Sequence, residues 1–313
     1  MTVIEHAVDE DTAALIEAVA REAEAADGVA PLGEQPLRNL RSGAGNGVRH
    51  LLVRSGEGGG ILGYAQLEGS GGESTAEMVV APGHRRRGVG SELVRAVVDR
   101  EPAAAVWAHG DLPSARALAD AEGLVRTREL LKMRRRASDG PPLPGTRPAE
   151  GIETGTLADA ASEGGARWPG LDAREEFLRV NNAAFSWHPE QGGWTRGRLD
   201  ERLAVDWVDP RAIFLAVDTT GPVPRLAGFH WTKTVAEPGD PVEGEVYVVA
   251  VDPADQGRGL GGMLTALGVT HLEGPVGAES VVLYVEGDNT AAIRTYEKLG
   301  FTVEHRDVTY ASA

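Results

Sequence analysis

Two glycine-rich turns are the segments best suited to bind an anion. One reads Gln256-Gly257-Arg258-Gly259-Leu260-Gly261, and the other reads Arg85-Arg86-Arg87-Gly88-Val89-Gly90. Each turn connects an apolar strand to a helix, whose first turn has unpaired N–H groups and a partial positive charge. Such a turn can hold the pyrophosphate of a nucleotide-like ligand, although an ordinary tight connection gives the same pattern. Neither turn has a Walker lysine or GxGxxG spacing, which disfavours nucleotide hydrolysis and a dinucleotide-binding fold.

The two turns belong to an internal repeat at domain scale. A shift of 171 residues aligns four pairs of residues: Pro82 with Pro253, Gly88 with Gly259, Gly90 with Gly261 and Leu93 with Leu264. Between the copies, residues 137–151 are dense in proline and glycine, which predicts an exposed connector. We therefore predict an N-terminal domain at 1–138, a linker at 139–150 and a C-terminal domain at 151–313.

Each half has the same order of predicted elements, β-α-α-β-β-β-α-β-α-β. In the second half the strand at 245–251 comes before the turn, and a helix at 290–299 follows it. This order indicates an α/β fold with a mixed sheet in each half.

Composition excludes several function classes. The chain has 313 residues, and 47 acidic against 31 basic residues give a formal net charge of -16, so nucleic acid and anionic membranes are poor partners. There is no cysteine, and the histidines lack metal-ligand spacing, so we expect no metal. The N-terminus has no signal-peptide pattern and the apolar run at 246–251 is too short to span a bilayer, so we predict a cytoplasmic protein. We also expect a monomer.

The second half carries two motifs that resemble the GCN5-related N-acetyltransferases (GNATs). They are the turn Gln256–Gly261, of the form R/Q-x-x-G-x-G/A, and Asn289–Phe301, of the form N-x-x-A-x-x-x-Y-x-x-x-G-F. The resemblance implies two tandem GNAT-like domains, each a mostly antiparallel mixed sheet flanked by helices, with acetyl-CoA as the donor substrate. The acetyl-CoA-binding residues implied in the second half are Val249, Ala250, Val251, Gln256, Gly257, Arg258, Gly259, Leu260, Gly261, Gly262, Asn289, Thr290, Ala291, Ala292, Ile293 and Arg294. Those implied in the first half are Val79, Val80, Ala81, Arg86, Arg87, Gly88, Val89, Gly90 and Ser91.

A closer resemblance covers nearly the whole chain. Segments 28–35, 181–194, 229–233 and 244–248 are similar to the tandem acetyltransferases of mycothiol biosynthesis, the mycothiol synthase family. This resemblance implies acetyl transfer to the cysteinyl amine of cysteinyl-glucosaminyl-inositol. It also implies that Glu34, Glu190, Lys233, Glu245 and Tyr284 bind the acceptor, although each residue taken singly also fits an exposed charge or a core aromatic.

Acetyl transfer to an amine needs a proton acceptor, because an α-amine has a pKa of about 7.7–8.0 and is largely protonated near neutral pH. Glu245, at the entry of the strand before the turn, is the candidate base, and the alternative is a solvated strand-end carboxylate. Tyr296 lies seven residues after Asn289, about two helical turns on, so both face roughly one side. We predict that Tyr296 assists the leaving thiolate as proton donor or hydrogen-bond donor; the alternative is a core tyrosine. Asn289 is expected to cap the last helix.

The first half lacks the corresponding groups. A shift of 177 residues places Ala119 opposite Tyr296 and Leu112 opposite Asn289, and the shift of 171 places Ser74 opposite Glu245. We therefore predict that the first half binds acetyl-CoA, or once did, and does not catalyse transfer.

Two other functions remain open at this point. One is acetylation of another amine, such as an aminoglycoside or a peptide N-terminus, and the other is a non-catalytic acyl-CoA sensor.

Overall fold

The computed structural model describes residues 3–5, 8–42, 47–56, 59–71, 74–161, 167–186, 191–235 and 241–313, and the chain divides into two compact units. Unit one consists of Met1–Leu131 and His305–Ala313, and unit two consists of Lys132–Glu304. This division differs from the predicted domains, because unit two begins at Lys132 and the last residues of the chain belong to unit one. Residues 139–150 form neither helix nor strand. The boundaries at 138/139 and 150/151 stay a prediction.

Unit one contains a mixed sheet with helices. Its elements are β1 (Val3–Glu5), α1 (Glu10–Asp27), α2 (Glu34–Ser42), β2 (Val48–Arg54), β3 (Ile61–Glu68), β4 (Thr75–Val80), α3 (Val89–Arg100), β5 (Ala105–Ala108), α4 (Pro113–Glu122), β6 (Leu124–Arg136, as far as residue 131) and β12 (Thr302–Ser312, from residue 305). The strand order is β1-β2-β3-β4-β5-β12-β6. Strands β1 to β4 are antiparallel to their neighbours, β4 and β5 are parallel, and β12 is antiparallel to β5.

Unit two repeats this architecture. Its elements are the end of β6, β7 (Ile152–Thr156), α5 (Leu157–Ala160), α6 (Ala173–Ala184), α7 (Arg196–Leu203), β8 (Ile213–Asp218), β9 (Arg225–Val235), β10 (Glu243–Val251), α8 (Leu260–Glu273), β11 (Ser280–Glu286) and α9 (Thr290–Lys298). The order is β6-β11-β10-β9-β8-β7, with β10 and β11 parallel and β7 to β10 antiparallel. The mixed, mostly antiparallel sheets predicted for the two halves are confirmed.

Local sequence explains how the first helix and the sheet cores form. Asp9 accepts a hydrogen bond from the Thr12 N–H at the start of α1, and Gly28 ends that helix in the left-handed conformation. In β10, half-buried and buried positions alternate along the strand. Beneath this sheet, Phe177 of α6 stacks on Phe229 with ring centroids 3.8 Å apart, and both are buried. Aromatic packing therefore fixes α6 against β9.

In both units the parallel pair of strands separates on the way to the glycine turn. Pairing of β10 with β11 covers Glu243–Val246, whereas β10 continues to Val251. Pairing of β4 with β5 covers only Thr75 and Ala76. Beyond these points β10 and β4 remain paired with the antiparallel strand on their other side. The separation leaves an open strand edge that leads directly to each glycine turn.

Candidate active site

The glycine turn of unit two connects β10 to α8. A short 3-10 turn at Pro253–Asp255 follows the strand, and Gly259 is the N-cap of α8. Gly257 and Gly259 have φ values of 80° and 76°, and no atom lies within 4 Å of an added Cβ at either position. The left-handed backbone, and not crowding, therefore requires glycine there. The N–H groups at the start of α8 are available for an anion, which fits the predicted pyrophosphate site.

A buried carboxylate holds this turn in place. Asp255, 1% exposed, accepts hydrogen bonds from Arg225 at 2.6 and 2.9 Å and from Arg258 at 2.5 Å. The hydrogen bond from Arg225 is the main cause of the lowered pKa of Asp255. The guanidinium of Arg258 is engaged with Asp255, and a role of Arg258 in acetyl-CoA binding stays a prediction. This network was not apparent from the sequence, since charged residues in loops have no periodicity that reveals their burial.

The turn of unit one has the same backbone shape. Arg86 and Gly88 have φ values of 61° and 83°, and the shift of 171 residues aligns them with Gly257 and Gly259. Arg85 donates two hydrogen bonds of 2.7 Å to Asp27, at the end of α1. A cavity of about 490 Å³ opens beside this turn, and its walls include Val80, Trp107 and Leu118. An apolar cavity beside an anion-binding turn suits the arm and phosphates of a coenzyme A thioester.

Each glycine turn leads into a helix whose first residues contact the next helix of the unit. A Cβ on Gly262 would lie 3.6 Å from Cγ2 of Thr295, so the start of α8 contacts α9 one residue before Tyr296. In unit one a Cβ on Gly90 would lie 3.0 Å from Cδ2 of Leu118. The predicted donor-binding turn and the helix that carries Tyr296 are therefore neighbours in unit two.

Tyr296 is half-buried on α9. Its ring lies edge-on to Phe301 with centroids 6.0 Å apart, and burial raises the pKa of Tyr296 to about 12. The side chain of Asn289 accepts a hydrogen bond of 3.1 Å from the Ala292 N–H, so the predicted N-cap of α9 is confirmed. Contact of Asn289 with acetyl-CoA stays a prediction.

Glu245 lies on β10, opposite Lys233 of β9, and both side chains are half-buried. Lys233 Nζ is 3.7 Å from Glu245 Oε2, so the structure brings together two of the five residues predicted to bind the acceptor. The same ammonium lies 5.6 Å from the ring centroid of Trp207 and 5.9 Å from that of Tyr247. The candidate base therefore has a cation and two aromatic rings beside it.

The remaining predicted acceptor residues are Tyr284, Glu34 and Glu190, which belong to different segments of the chain. Tyr284, on β11, is 47% exposed. Glu34 is the first residue of α2 in unit one, where it pairs with Arg38 at 2.5 Å. Glu190 lies outside the described residues. A role for these three residues in acceptor binding stays a prediction.

Unit one has different residues at the positions of the catalytic candidates. Ala119 is buried, Leu112 is the N-cap of α4, and Ser74 donates a hydrogen bond of 2.7 Å to the Gly71 carbonyl. None of these three side chains is an acid or a base near neutral pH.

A cluster that the sequence did not predict lies beside the cavity of unit one. His109 Nε2 is 3.0 Å from Glu77 Oε2, and His109 Nδ1 is 3.5 Å from Asp307 Oδ1. Burial alone would lower the pKa of His109, but the hydrogen bonds to Asp307 and Glu77 raise it to about 9. Both ring nitrogens face carboxylates, so we interpret the cluster as a structural link between β4, β5 and β12.

The described residues contain neither a metal-binding cluster nor a membrane-spanning helix. No group of three histidine, aspartate or glutamate side chains in that part of the chain is arranged to hold a metal ion. No helix there is long and apolar enough to cross a membrane.

Comparison with known proteins defines the class. Residues 180–301 match the model of the acetyltransferase (GNAT) family, and residues 47–121 match that of an acetyltransferase (GNAT) domain. The fold is also that of solved GNAT structures. A GCN5-related N-acetyltransferase from Sphaerobacter thermophilus covers 98% of this chain and 94% of its own, with a TM-score of 0.72 and 24% identity. A tandem GNAT protein from the clavulanic acid biosynthesis pathway covers 99% and 97%, with a TM-score of 0.64 and 20% identity. The chain is a tandem GNAT N-acetyltransferase that uses acetyl-CoA as donor.

Curated relatives define the family more closely. The mycothiol acetyltransferase of Mycobacteroides abscessus is 48% identical over 93% of this chain and 93% of its own length. That of Nocardia farcinica is 47% identical over 97% of this chain and 95% of its own. The chain belongs to the mycothiol acetyltransferase family.

Proposed function

We propose that unit two transfers an acetyl group from acetyl-CoA to the cysteinyl amine of cysteinyl-glucosaminyl-inositol, which forms mycothiol, and that unit one binds acetyl-CoA without turnover. The observation that carries this division is the placement of proton-handling groups. Unit two has the Lys233–Glu245 pair and Tyr296, whereas unit one has Ser74 and Ala119 opposite Glu245 and Tyr296. The curated relatives are named mycothiol acetyltransferases, which supports the proposed identity of the acceptor.

In this proposal Glu245 removes a proton from the acceptor ammonium. The positive charge of Lys233, 3.7 Å from the carboxylate, disfavours a second cation beside it and so lowers the pKa of the acceptor amine. The neutral amine attacks the thioester carbonyl carbon, the C–N bond forms and the C–S bond breaks. The products are the amide and the CoA thiolate, and the amine's protons pass to Glu245 and solvent.

Tyr296 acts as a hydrogen-bond donor to the departing sulfur. Its pKa of about 12 lies far above that of a thiol, about 8.5, so complete proton transfer would be uphill by about 5 kcal/mol. A hydrogen bond from the hydroxyl stabilises developing negative charge on sulfur without that transfer.

The donor is held by three parts of unit two. The turn at Gln256–Gly262 binds the pyrophosphate through backbone N–H groups, and the open edge of Val249–Val251 pairs with the pantetheine arm. Residues 289–294, at the start of α9, complete the donor site. The acceptor is bound in unit two by Glu190, Lys233 and Tyr284. The enzyme works as a monomer in the cytoplasm, where acetyl-CoA is available.

A matched pair of substitutions tests the division of roles. Gly259→Glu and Gly88→Glu place a carboxylate in equivalent turns, both left-handed and both without atoms within 4 Å of the added Cβ. We expect Gly259→Glu to lower kcat/KM for acetyl-CoA by about 100-fold or more, because a carboxylate repels the phosphates. Gly88→Glu should lower it less than about threefold. The variants Gly259→Ala and Gly88→Ala control for backbone strain.

The assay follows CoA thiol release with the cysteinyl acceptor, an aminoglycoside and a peptide N-terminus. Calorimetry on the same proteins counts acetyl-CoA sites, with two expected in the unmodified chain and one in each glutamate variant. Loss of turnover with Gly88→Glu alone would reverse the roles of the units. If the enzyme acetylated the aminoglycoside or the peptide N-terminus but not the cysteinyl acceptor, the proposed acceptor would be wrong.

A further inference from the structure

Two aromatic side chains in unit two form a surface beside the Lys233–Glu245 pair. The rings of Trp207 and Tyr247 meet edge-to-face, with centroids 5.1 Å apart and an interplanar angle of 77°. Lys233 Nζ lies 5.6 and 5.9 Å from the two centroids and 3.7 Å from Glu245 Oε2. The carboxylate and the indole therefore flank the same ammonium group.

A bulge in β10 positions Tyr247. The pairing of β9 with β10 passes from Val246 opposite Thr232 directly to Val248 opposite Trp231, so Tyr247 is the extra residue of the bulge. Bulges of this kind reorient a side chain and are frequent beside active sites. The bulge lies one residue beyond the last pairing of β10 with β11, where the two strands begin to separate.

Trp207 packs against the buried core of unit two. It lies in the connection between α7 and β8, and its ring centroid is 6.0 Å from that of Trp231, which is 1% exposed. Trp207 itself is half-buried, so part of the indole remains accessible. A rigid, partly exposed indole next to polar groups is typical of a ligand-binding surface.

We propose that Trp207, with Tyr247 as its edge-on neighbour, stacks against the glucosamine ring of the acceptor and determines acceptor specificity. This inference rests on the proposed function. Four covalent bonds separate the cysteinyl amine from the sugar ring, a reach of roughly 5 Å. An amine at Glu245 therefore lets the sugar ring reach past the Lys233 ammonium toward the aromatic pair, since that ammonium contacts both. The C–H face of a pyranose is apolar and packs on an indole, while its hydroxyl groups remain free for polar partners.

The experiment compares an acceptor that has the ring with one that lacks it. Trp207→Ala and Trp207→Phe are assayed with cysteinyl-glucosaminyl-inositol and with cysteinamide, which keeps the amine and thiol but has no sugar. Leu203→Ala is the matched control, because Leu203 is another half-buried residue packed against the same core. Thermal melting of each variant reports any loss of stability.

We expect Trp207→Ala to lower kcat/KM for the sugar-bearing acceptor roughly fivefold to tenfold, mainly through KM. The values for cysteinamide and the KM for acetyl-CoA should change less than about twofold, and Trp207→Phe should retain most activity. Equal losses with both acceptors, or no loss with the sugar-bearing one, would overturn the stacking role. An unmodified enzyme that fails to acetylate the sugar-bearing acceptor would overturn the proposed function, and the stacking role with it.

Discussion

Arg86 in unit one and Gly257 in unit two have the same left-handed backbone conformation, with φ values of 61° and 80°. They occupy equivalent positions in the two turns, so the repeat has kept the shape of the turn at a position where it has not kept glycine. A residue with a side chain in this region carries backbone strain of about 1 kcal/mol or more.

Substitutions at these two positions should therefore change the free energy of unfolding by different amounts. Arg86→Gly relieves strain but adds chain entropy to the unfolded state, so the free energy of unfolding should stay within about 0.5 kcal/mol of the unmodified value. Gly257→Ala should lower it by about 1 kcal/mol, and Gly257→Asn by less, because asparagine tolerates the left-handed region. Urea unfolding measures these differences. A stabilising Gly257→Ala would contradict the assigned conformation.

Tyr296→Phe should lower kcat by about 100-fold to 1,000-fold with little change in KM for acetyl-CoA, because the hydroxyl acts on charge that develops in the transition state. Since burial raises the Tyr296 pKa to about 12, the kcat profile of the unmodified enzyme should have no falling limb from this group below pH 10. Steady-state kinetics between pH 6 and 10 check this. A falling limb near pH 9 that disappears in Tyr296→Phe would show a much lower pKa.

The Lys233–Glu245 pair predicts a separate pH effect for each of its two members. Glu245→Gln should lower kcat/KM for the acceptor by about 100-fold or more near neutral pH, with partial recovery above the amine pKa of about 8, where the amine is already neutral. Lys233→Met should shift the rising limb to higher pH, because loss of a nearby positive charge lets the amine keep its proton. Lys233→Arg keeps the charge and serves as the control. If the rising limb of the pH profile were unchanged in Lys233→Met, Lys233 would have no electrostatic role.

The cluster around His109 predicts a pH-dependent contribution to stability. The folded pKa of His109, about 9, lies above the ordinary value of 6.5 because of Asp307 and Glu77, and His305 also faces Asp307 at 3.5 Å. The stabilisation is therefore complete below pH 6.5 and is lost as the pH rises through about 9. His109→Gln should cost at most about 3 kcal/mol at pH 6.

Thermal or urea unfolding of both proteins from pH 6 to 10 tests this contribution. The difference between His109→Gln and the unmodified chain should shrink as the pH rises. A constant difference would mean that packing, and not charge, accounts for the effect.

Sequence reasoning found the features that depend on local pattern. The glycine turns follow from backbone chemistry at Gly88 and Gly259, and the cap on α9 follows from the preference of Asn289 for that position. The sequence could not place β12, because a strand pattern does not indicate which strand it pairs with. It also missed Asp255, since a loop residue shows neither its burial nor its neighbours in the sequence.

The placement of β12 has a consequence for biosynthesis. Residues His305–Ala313 follow unit two in the chain, yet they belong to unit one, where Val308 pairs with Ala108 and Asp307 faces His109. Although domains generally fold as units during synthesis, with the N-terminal domain first, unit one cannot finish its sheet until unit two and residues 305–313 have been synthesised. Proteins truncated before residue 305 should therefore show defects in the half of the molecule that was made first.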